Sequence, residues 1–398
     1  MSAEPLPAFV FQTVRRIESA PGLARRLGEL VRSLDAPGRS ALIVTDAFLA
    51  SSGLIAPARA SLEAADWQVA VFDAVTPDQS EAVVEAARQA ALAHGAVLVI
   101  GFGGGSSMDV AKLVACLARP GVEAPALAEL YGIDTRAVAR LPLVQVPTTA
   151  GTGSEVTRIA IVTTGADTKA GVVNRALLAD LVLLDAELTV GLPPAVTAAT
   201  GIDAMVHAIE AFSSRLRANP LSDLLAVDAL RRLDRHLMAA IADGRDLAAR
   251  EQMLLGAMLA GMAFENAPVA AVHALAYPLG GQFHLPHGLS NALVLAPVLR
   301  FNRPAAQARY AALAAQLLPE ASARLDEAQR CEAFIAHVAQ RVADCAACGL
   351  AQRLRDCGIP RDALPGLAAA AMQQQRLLQN NPRPLSEADA LAIYEEAW

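Results

Sequence analysis

The chain has 398 residues, of which 54% are hydrophobic and 18% charged, and a formal net charge of −7. That composition fills a large buried interior and excludes disorder as the governing state, while the length favours two domains over a single core. Basic residues are scattered and no apolar run reaches the roughly 18 residues of a membrane span, so neither nucleic acid nor a bilayer is expected as a partner.

The N-terminal stretch Met1-Ser-Ala-Glu-Pro-Leu-Pro7 lacks the charged and apolar regions of a signal peptide, which points to a cytoplasmic protein. Beyond it, β-rich runs alternate with helical ones. Strands are expected at 41–46, 68–73, 96–100 and 143–146 and near 158–163, 170–174 and 181–185, with helices near 54–65 and over 80–94 and 106–118. The 96–100 run is apolar throughout, as a strand buried on both faces requires. The alternation predicts an α/β dinucleotide-binding domain over 1–190 with a mostly parallel sheet.

After Leu192-Pro-Pro194 the texture becomes helical, giving an all-α domain over 191–398. Its segments are expected at 195–215, 220–242, 246–264, 267–282, 288–300, 304–317, 323–343 and 346–357. Four of the five cysteines, Cys331, Cys345, Cys348 and Cys357, lie late in this half, and Cys116 lies in the first. No second Cys-x-x-Cys accompanies Cys345-Ala-Ala-Cys348, so all five read as reduced structural thiols rather than a zinc site.

The first chemistry-bearing motif is the turn Gly101-Phe-Gly103-Gly104-Gly105-Ser106-Ser107, set between a strand and a helix. Adjacent glycines let backbone approach a phosphate, and the free N–H groups of a helix start supply donors and a favourable dipole. Ser106 with Asp109 fits a capping box. The turn is not a regular dinucleotide fingerprint: Gly101-x-Gly103-x-x-Ser106 lacks the third glycine, and no acid ends a strand about twenty residues later. Asp46, at the end of the first strand, can take that acid's place on a ribose and disfavour a 2′-phosphate; the plain alternative is a helix cap. A second loop, Pro147-Thr148-Thr149-Ala-Gly151-Thr152, carries more hydroxyls than a turn needs. Lys169 follows, where an ammonium could meet phosphate or ribose, or simply be solvated.

Asp203 and His207 are spaced to share one face of an apolar helix, and both need buried partners. His273, in another apolar helix, and His287, held in Pro286-His287-Gly288, are the candidates. One carboxylate and three imidazoles form a donor set for a divalent transition metal. His284 ranks behind them, and His94, His236 and His337 read as surface or core-edge residues.

These residues resemble the iron-containing (group III) alcohol dehydrogenases along almost the whole chain. The matching stretches are Gly103-Gly-Gly-Ser106-x-x-Asp109-x-x-Lys112, Pro147-Thr-Thr-Ala-Gly-Thr152, Gly191-Leu-Pro-Pro194 and Ala199-Thr-Gly-Ile-Asp203-Ala-x-x-His207-Ala-Ile-Glu210-Ala. Gly261-Met-Ala-Phe264, Pro286-His287-Gly288 and Asn381-Pro-Arg383 continue the match. The resemblance implies a dehydroquinate synthase-like fold and iron at Asp203, His207, His273 and His287, with zinc a possible substitute. It further implies NAD(H), with NADP(H) less favoured, held by Asp46, Gly103, Gly104, Gly105, Ser106, Ser107, Asp109, Thr148, Thr149, Thr152 and Lys169.

Phe264 would border the substrate, and hydride would pass between a small alcohol and the nicotinamide in a homodimer or larger homo-oligomer. Maleylacetate reductase and hydroxyacid–oxoacid transhydrogenase activities are alternatives on the same scaffold. A metal-dependent lyase and a non-catalytic nucleotide sensor are weaker ones. Two departures stand out. Many members carry His where this chain has Tyr277, and a phenol is a poorer acid–base group at neutral pH than imidazole. Where members often read Pro-Asn, this chain has Pro77-Asp78.

Overall fold

The computed structural model describes residues 8–119, 121, 125–165 and 168–398; the Met1–Pro7 stretch read above lies outside them. Two compact units emerge. One comprises Thr13–Leu192 with Gly244–Met258, and the other comprises the segment up to Gln12 with Pro193–Asp243 and Leu259–Trp398. The main change of unit falls at Leu192/Pro193. Two excursions, at the N-terminus and at 244–258, are invisible to a single cut near residue 190.

The first unit is built on a six-stranded sheet in the order β1-β9-β6-β4-β2-β3, parallel throughout. Its strands are β1 (Ile17–Ser19), β2 (Ser40–Asp46), β3 (Gln68–Val75), β4 (Leu98–Gly103), β6 (Leu143–Pro147) and β9 (Leu181–Leu184). The inner strands are buried because helices cover them, and β4 is buried at every position. Leu42, Ile43, Leu98, Ile100, Val144, Val146 and Leu183 anchor the interior.

The expected mostly parallel sheet is present, and three further strands stand outside it. β5 (Gly132–Ile133), β7 (Ile159–Thr164) and β8 (Thr168–Val173) form a separate sheet in which β7 and β8 run antiparallel. The connection from Thr164 to Thr168 is too short for a parallel crossover, which takes a dozen or more residues. The helix expected near 54–65 is Ala56–Glu63, and a further short helix, Ala47–Ser52, precedes it and ends at Gly53, whose φ of 85° belongs to a left-handed cap.

The second unit is helical. Its main helices are Pro194–Ser213, Pro220–Ala242, Ala271–Phe283, His287–Leu317 and Glu327–Asp344, and the helix Leu247–Asn266 ends in it. The segments expected at 288–300 and 304–317 are one helix of 31 residues, continuous through Pro297 and Pro304. Each proline removes a backbone hydrogen bond, but packing against Pro194–Ser213 and Glu327–Asp344 holds the helix together. The helix expected over 346–357 is only the short turns Cys345–Cys348 and Leu354–Cys357, ended by Gly349 and Gly358 at φ 91° and 76°. All five cysteines are free. Among the described residues no single helix is long and apolar enough to cross a membrane.

Candidate metal and dinucleotide sites

Parallel strands place all their C-terminal ends on one edge. From β2 the chain passes outward to β3, then returns to β4 on β2's other side, so the strand order reverses between β2 and β4. Open α/β sheets bind ligands at such a switch point. Here it is flanked by Asp46, ending β2, and Gly103, ending β4.

Gly103 has φ 154°, and a Cβ there would lie 2.7 Å from Ser107 Oγ; at Gly105 it would lie 3.0 Å from the Thr152 side chain. The glycine turn and the hydroxyl loop are thus packed on each other, and the Thr148 N–H donates to Gly103 O at 3.0 Å. The helix begins at Gly105 with Gly104 as its N-cap and no side chain capping it. The Ser106–Asp109 capping box therefore does not form, and the first-turn N–H groups beside the glycines have no intrahelical partner. That is an anion-binding geometry.

Asp46 does cap the next helix, Oδ1 accepting from Leu49 N at 2.9 Å, so the plain alternative accounts for one of its oxygens. Lys169 is paired with Asp78 and donates to Thr163 Oγ1 at 3.2 Å. The chain's departure at Asp78 thus places a carboxylate against the ammonium, where the family's usual asparagine would be neutral.

Asp109, expected as a cofactor contact, is held by bonds within the unit. It is buried, with Oδ1 accepting from Ser154 Oγ at 2.6 Å and Oδ2 from Ile161 N at 2.9 Å. Lys112, fully buried, donates to Ser154 Oγ at 2.7 Å, Thr157 Oγ1 at 3.1 Å and Ile159 O at 2.7 Å, and lies 3.3 Å from Asp109 Oδ1. The pair ties the glycine-turn helix to the segment following the hydroxyl loop. Spacing alone had marked both residues as a motif without showing that they act beneath the loops.

In the helical unit, Asp203, His207, His273 and His287 come together. One donor atom from each lies within 4.8 Å of all the others. Asp203 Oδ1 is 3.9 Å from His207 Nε2, 3.8 Å from His273 Nε2 and 3.6 Å from His287 Nε2. A tetrahedral metal with bonds of 2.0–2.2 Å has donor edges of about 3.3–3.6 Å, so the set fits an ion with a small contraction. Asp203, His207 and His273 are buried, whereas the His287 side chain is 43% exposed and gives the set an open side. Burial alone would push the Asp203 carboxyl up, but the three imidazoles and the Asn291 amide together hold it below its ordinary value.

Local sequence explains the convergence. Asp203, His207 and Glu210 stand at i, i+4 and i+7 on the helix Pro194–Ser213, along one stripe. Gly288 lets the neighbouring His287 approach: a Cβ at Gly288 would lie 2.3 Å from Ala199 O of that helix. His273 sits in the first turn of Ala271–Phe283, and Glu210, named in the motif but given no role, organises it. Glu210 Oε2 accepts from His273 Nδ1 at 2.7 Å and Ala270 N at 2.9 Å, and Oε1 from Val272 N at 2.7 Å. One carboxylate caps the helix and fixes the imidazole so that its Nε2 lone pair faces the cluster. The signal was the third polar residue on the same stripe.

Phe264 stacks on His207 with ring centroids 4.4 Å apart, and the Tyr277 ring lies 6.1 Å from that of His287. His284 is not in the cluster. It is exposed, at φ 55°, and caps the end of the helix Ala271–Phe283. His337 is held by Asp234 at 2.7 Å, and His94 is half-buried and 3.1 Å from Gln68 O.

A parallel sheet with a glycine turn at its switch point, together with a helical unit carrying one carboxylate and three imidazoles, defines a class of two-domain oxidoreductases. Residues 15–186 match the family described as iron-containing alcohol dehydrogenase, and residues 197–398 match the C-terminal part of the Fe-containing alcohol dehydrogenase family. Long-chain-alcohol dehydrogenase 1 of Geobacillus thermodenitrificans is 43% identical over 357 residues, covering 90% of this chain and 89% of that protein. A crystal structure of a 1,3-propanediol oxidoreductase superposes with a TM-score of 0.92 at 34% identity, covering 98% of this chain and 100% of the other. The sulfoacetaldehyde reductase of Bifidobacterium kashiwanohense, solved in complex with NAD+, gives a TM-score of 0.84 at 26% identity, covering 98% and 99%. The chain belongs to the iron-containing alcohol dehydrogenase family and is an alcohol–aldehyde oxidoreductase.

Proposed function

We propose that the protein interconverts small alcohols with their aldehydes or ketones, using NAD(H) and a divalent iron ion held by Asp203, His207, His273 and His287. The observation that carries the reading is a buried carboxylate among three imidazoles with one open side, in a chain that also has glycine and hydroxyl loops at its sheet's switch point. A bound ion supplies Lewis acidity, drawing electron density from the substrate oxygen, and a bound nicotinamide accepts or returns the hydride.

The chain's own residues do the rest. Gly103–Ser107 and Thr148, Thr149 and Thr152 offer donors for the dinucleotide's phosphates, with the helix start adding a favourable dipole. Asp46 accepts from ribose hydroxyls and repels a 2′-phosphate. Phe264, stacked on His207, supplies an apolar wall suited to a short alkyl chain and limits water beside the donor set. Tyr277, whose ring lies 6.1 Å from that of His287, would orient the substrate oxygen through its hydroxyl.

The test is a panel of primary alcohols, diols and hydroxyacids assayed by NADH absorbance, before and after chelation and after reloading with Fe2+ or Zn2+. Turnover of a small alcohol should vanish on chelation and return on reloading. Activity untouched by metal removal would overturn the reading. Asp46→Gly should raise kcat/KM for NADP+ relative to NAD+ by about tenfold, equivalent to about 1.4 kcal/mol. An unchanged ratio would remove Asp46 from that role.

A further inference from the structure

We propose that Asn291 is a positioning residue of the metal site, whose side-chain amide holds the Asp203 carboxylate in the orientation an ion requires. The inference rests on the metal reading above and adds a residue to it.

Asn291 stands one helical turn after His287 on the helix His287–Leu317 and is completely buried. Its Nδ2 lies 2.6 Å from Asp203 Oδ1 and 3.3 Å from the Nε2 atoms of both His273 and His287. A single amide nitrogen therefore touches three of the four donor atoms. The orientation is fixed chemically: turned over, the amide would set its carbonyl oxygen against a buried carboxylate. The carbonyl oxygen itself is buried with no donor against it among the described residues. A buried acceptor without a donor is unfavourable, so the rest of the helix does not impose this orientation; the donor set does.

The amide acts at Asp203. Asp203 carries a negative charge in a buried place and needs a donor that does not compete as a charge. A neutral N–H at 2.6 Å restrains rotation of the carboxylate and keeps Oδ1 turned toward the imidazoles. Each imidazole Nε2 has a single lone pair, which an ion would take, whereas the carboxylate oxygen can accept from the amide and still face an ion. His273 is fixed from its far side by Glu210, and His287, the exposed member of the set, precedes Asn291 by four residues on the same helix face. Glu210 thus restrains one member of the set and Asn291 another.

Asn291→Leu keeps the volume and removes the donor. Metal affinity, read by competition with a chromophoric chelator on the full chain, should fall about 10–100-fold. The absorption bands of the Co2+-loaded protein, which report ligand geometry, should shift. NAD+ affinity, which depends on the other unit's loops, should be unchanged. Asn291→Ser keeps a shorter donor and should fall between wild type and Leu; it decides the matter if the Leu variant does not fold. Wild-type affinity and an unshifted Co2+ spectrum in the deciding variant would overturn the proposal. If wild type itself bound neither Fe2+, Zn2+ nor Co2+, the metal reading would fail first, and this inference with it.

Discussion

His273→Ala should abolish metal retention and alcohol oxidation together while leaving dinucleotide binding intact. His273 stands between two partners. On one side its Nε2 faces Asp203 at 3.8 Å, and on the other its Nδ1 is fixed by Glu210 at 2.7 Å. Removing the ring opens the donor set and strips a buried carboxylate of one of the partners that stabilise its charge. Loss of a group that merely orients a ligand costs 10–100-fold in metal affinity or activity. Loss of the ligand itself should therefore cost at least about 100-fold in kcat/KM. Bound iron measured after purification and NADH production should fall in parallel, with NAD+ affinity as the control. Full turnover by a metal-free His273→Ala protein would sink the assignment.

The effect on the scaffold should be smaller than the effect on the site. Glu210 retains the Ala270 and Val272 N–H groups after the imidazole is gone, so the start of the His273 helix keeps its cap. That separation distinguishes a ligand from a structural histidine, whose removal would lower stability as well. His337, bound to Asp234, is a contrasting case in the same unit.

What was legible in the sequence follows from how local each signal is. The parallel strands were readable because strands buried on both faces are apolar runs, and β4 is one at every position. The pairing of Asp203 with His207 was readable because helix spacing fixes which residues share a face. The β7–β8 hairpin was not, because apolar alternation identifies a strand but not its neighbour or direction. The 31-residue helix was not, because Pro297 and Pro304 are local stop signals and tertiary packing overrides them. Glu210, named only within a motif, was given no role, and Asn291 was not singled out, for a related reason. Their chemistry appears only when separate helices meet, and the close approach at Gly288 is what brings two of those helices together. Asp109 shows the same limit: a polar residue beside a glycine turn suggests a ligand contact, and the sequence does not reveal that its oxygens also accept from Ser154 and Ile161.

Lys112→Met should destabilise the α/β unit by about 3–5 kcal/mol, the usual cost of breaking a buried ion pair from one side. The ammonium is fully buried and serves Ser154, Thr157, Ile159 and Asp109 at once, so a thioether of similar length leaves several buried acceptors without a donor. Loss of the clamp should also loosen the segment after the hydroxyl loop and weaken NAD+ binding. The effect should depend on pH through Glu155. Burial pushes that carboxyl up to about 7, with its own backbone N–H and Lys112 holding it from rising further. A carboxyl raised on folding contributes stability that is complete below its unfolded value and is lost as pH rises through the folded one. Without Lys112 the folded value rises, so the loss extends to higher pH. Denaturant midpoints should therefore separate wild type from Lys112→Met more widely at pH 8 than at pH 6, and Glu155→Gln in the variant background should remove the difference. Equal separation at both pH values would show that Lys112 does not act on Glu155.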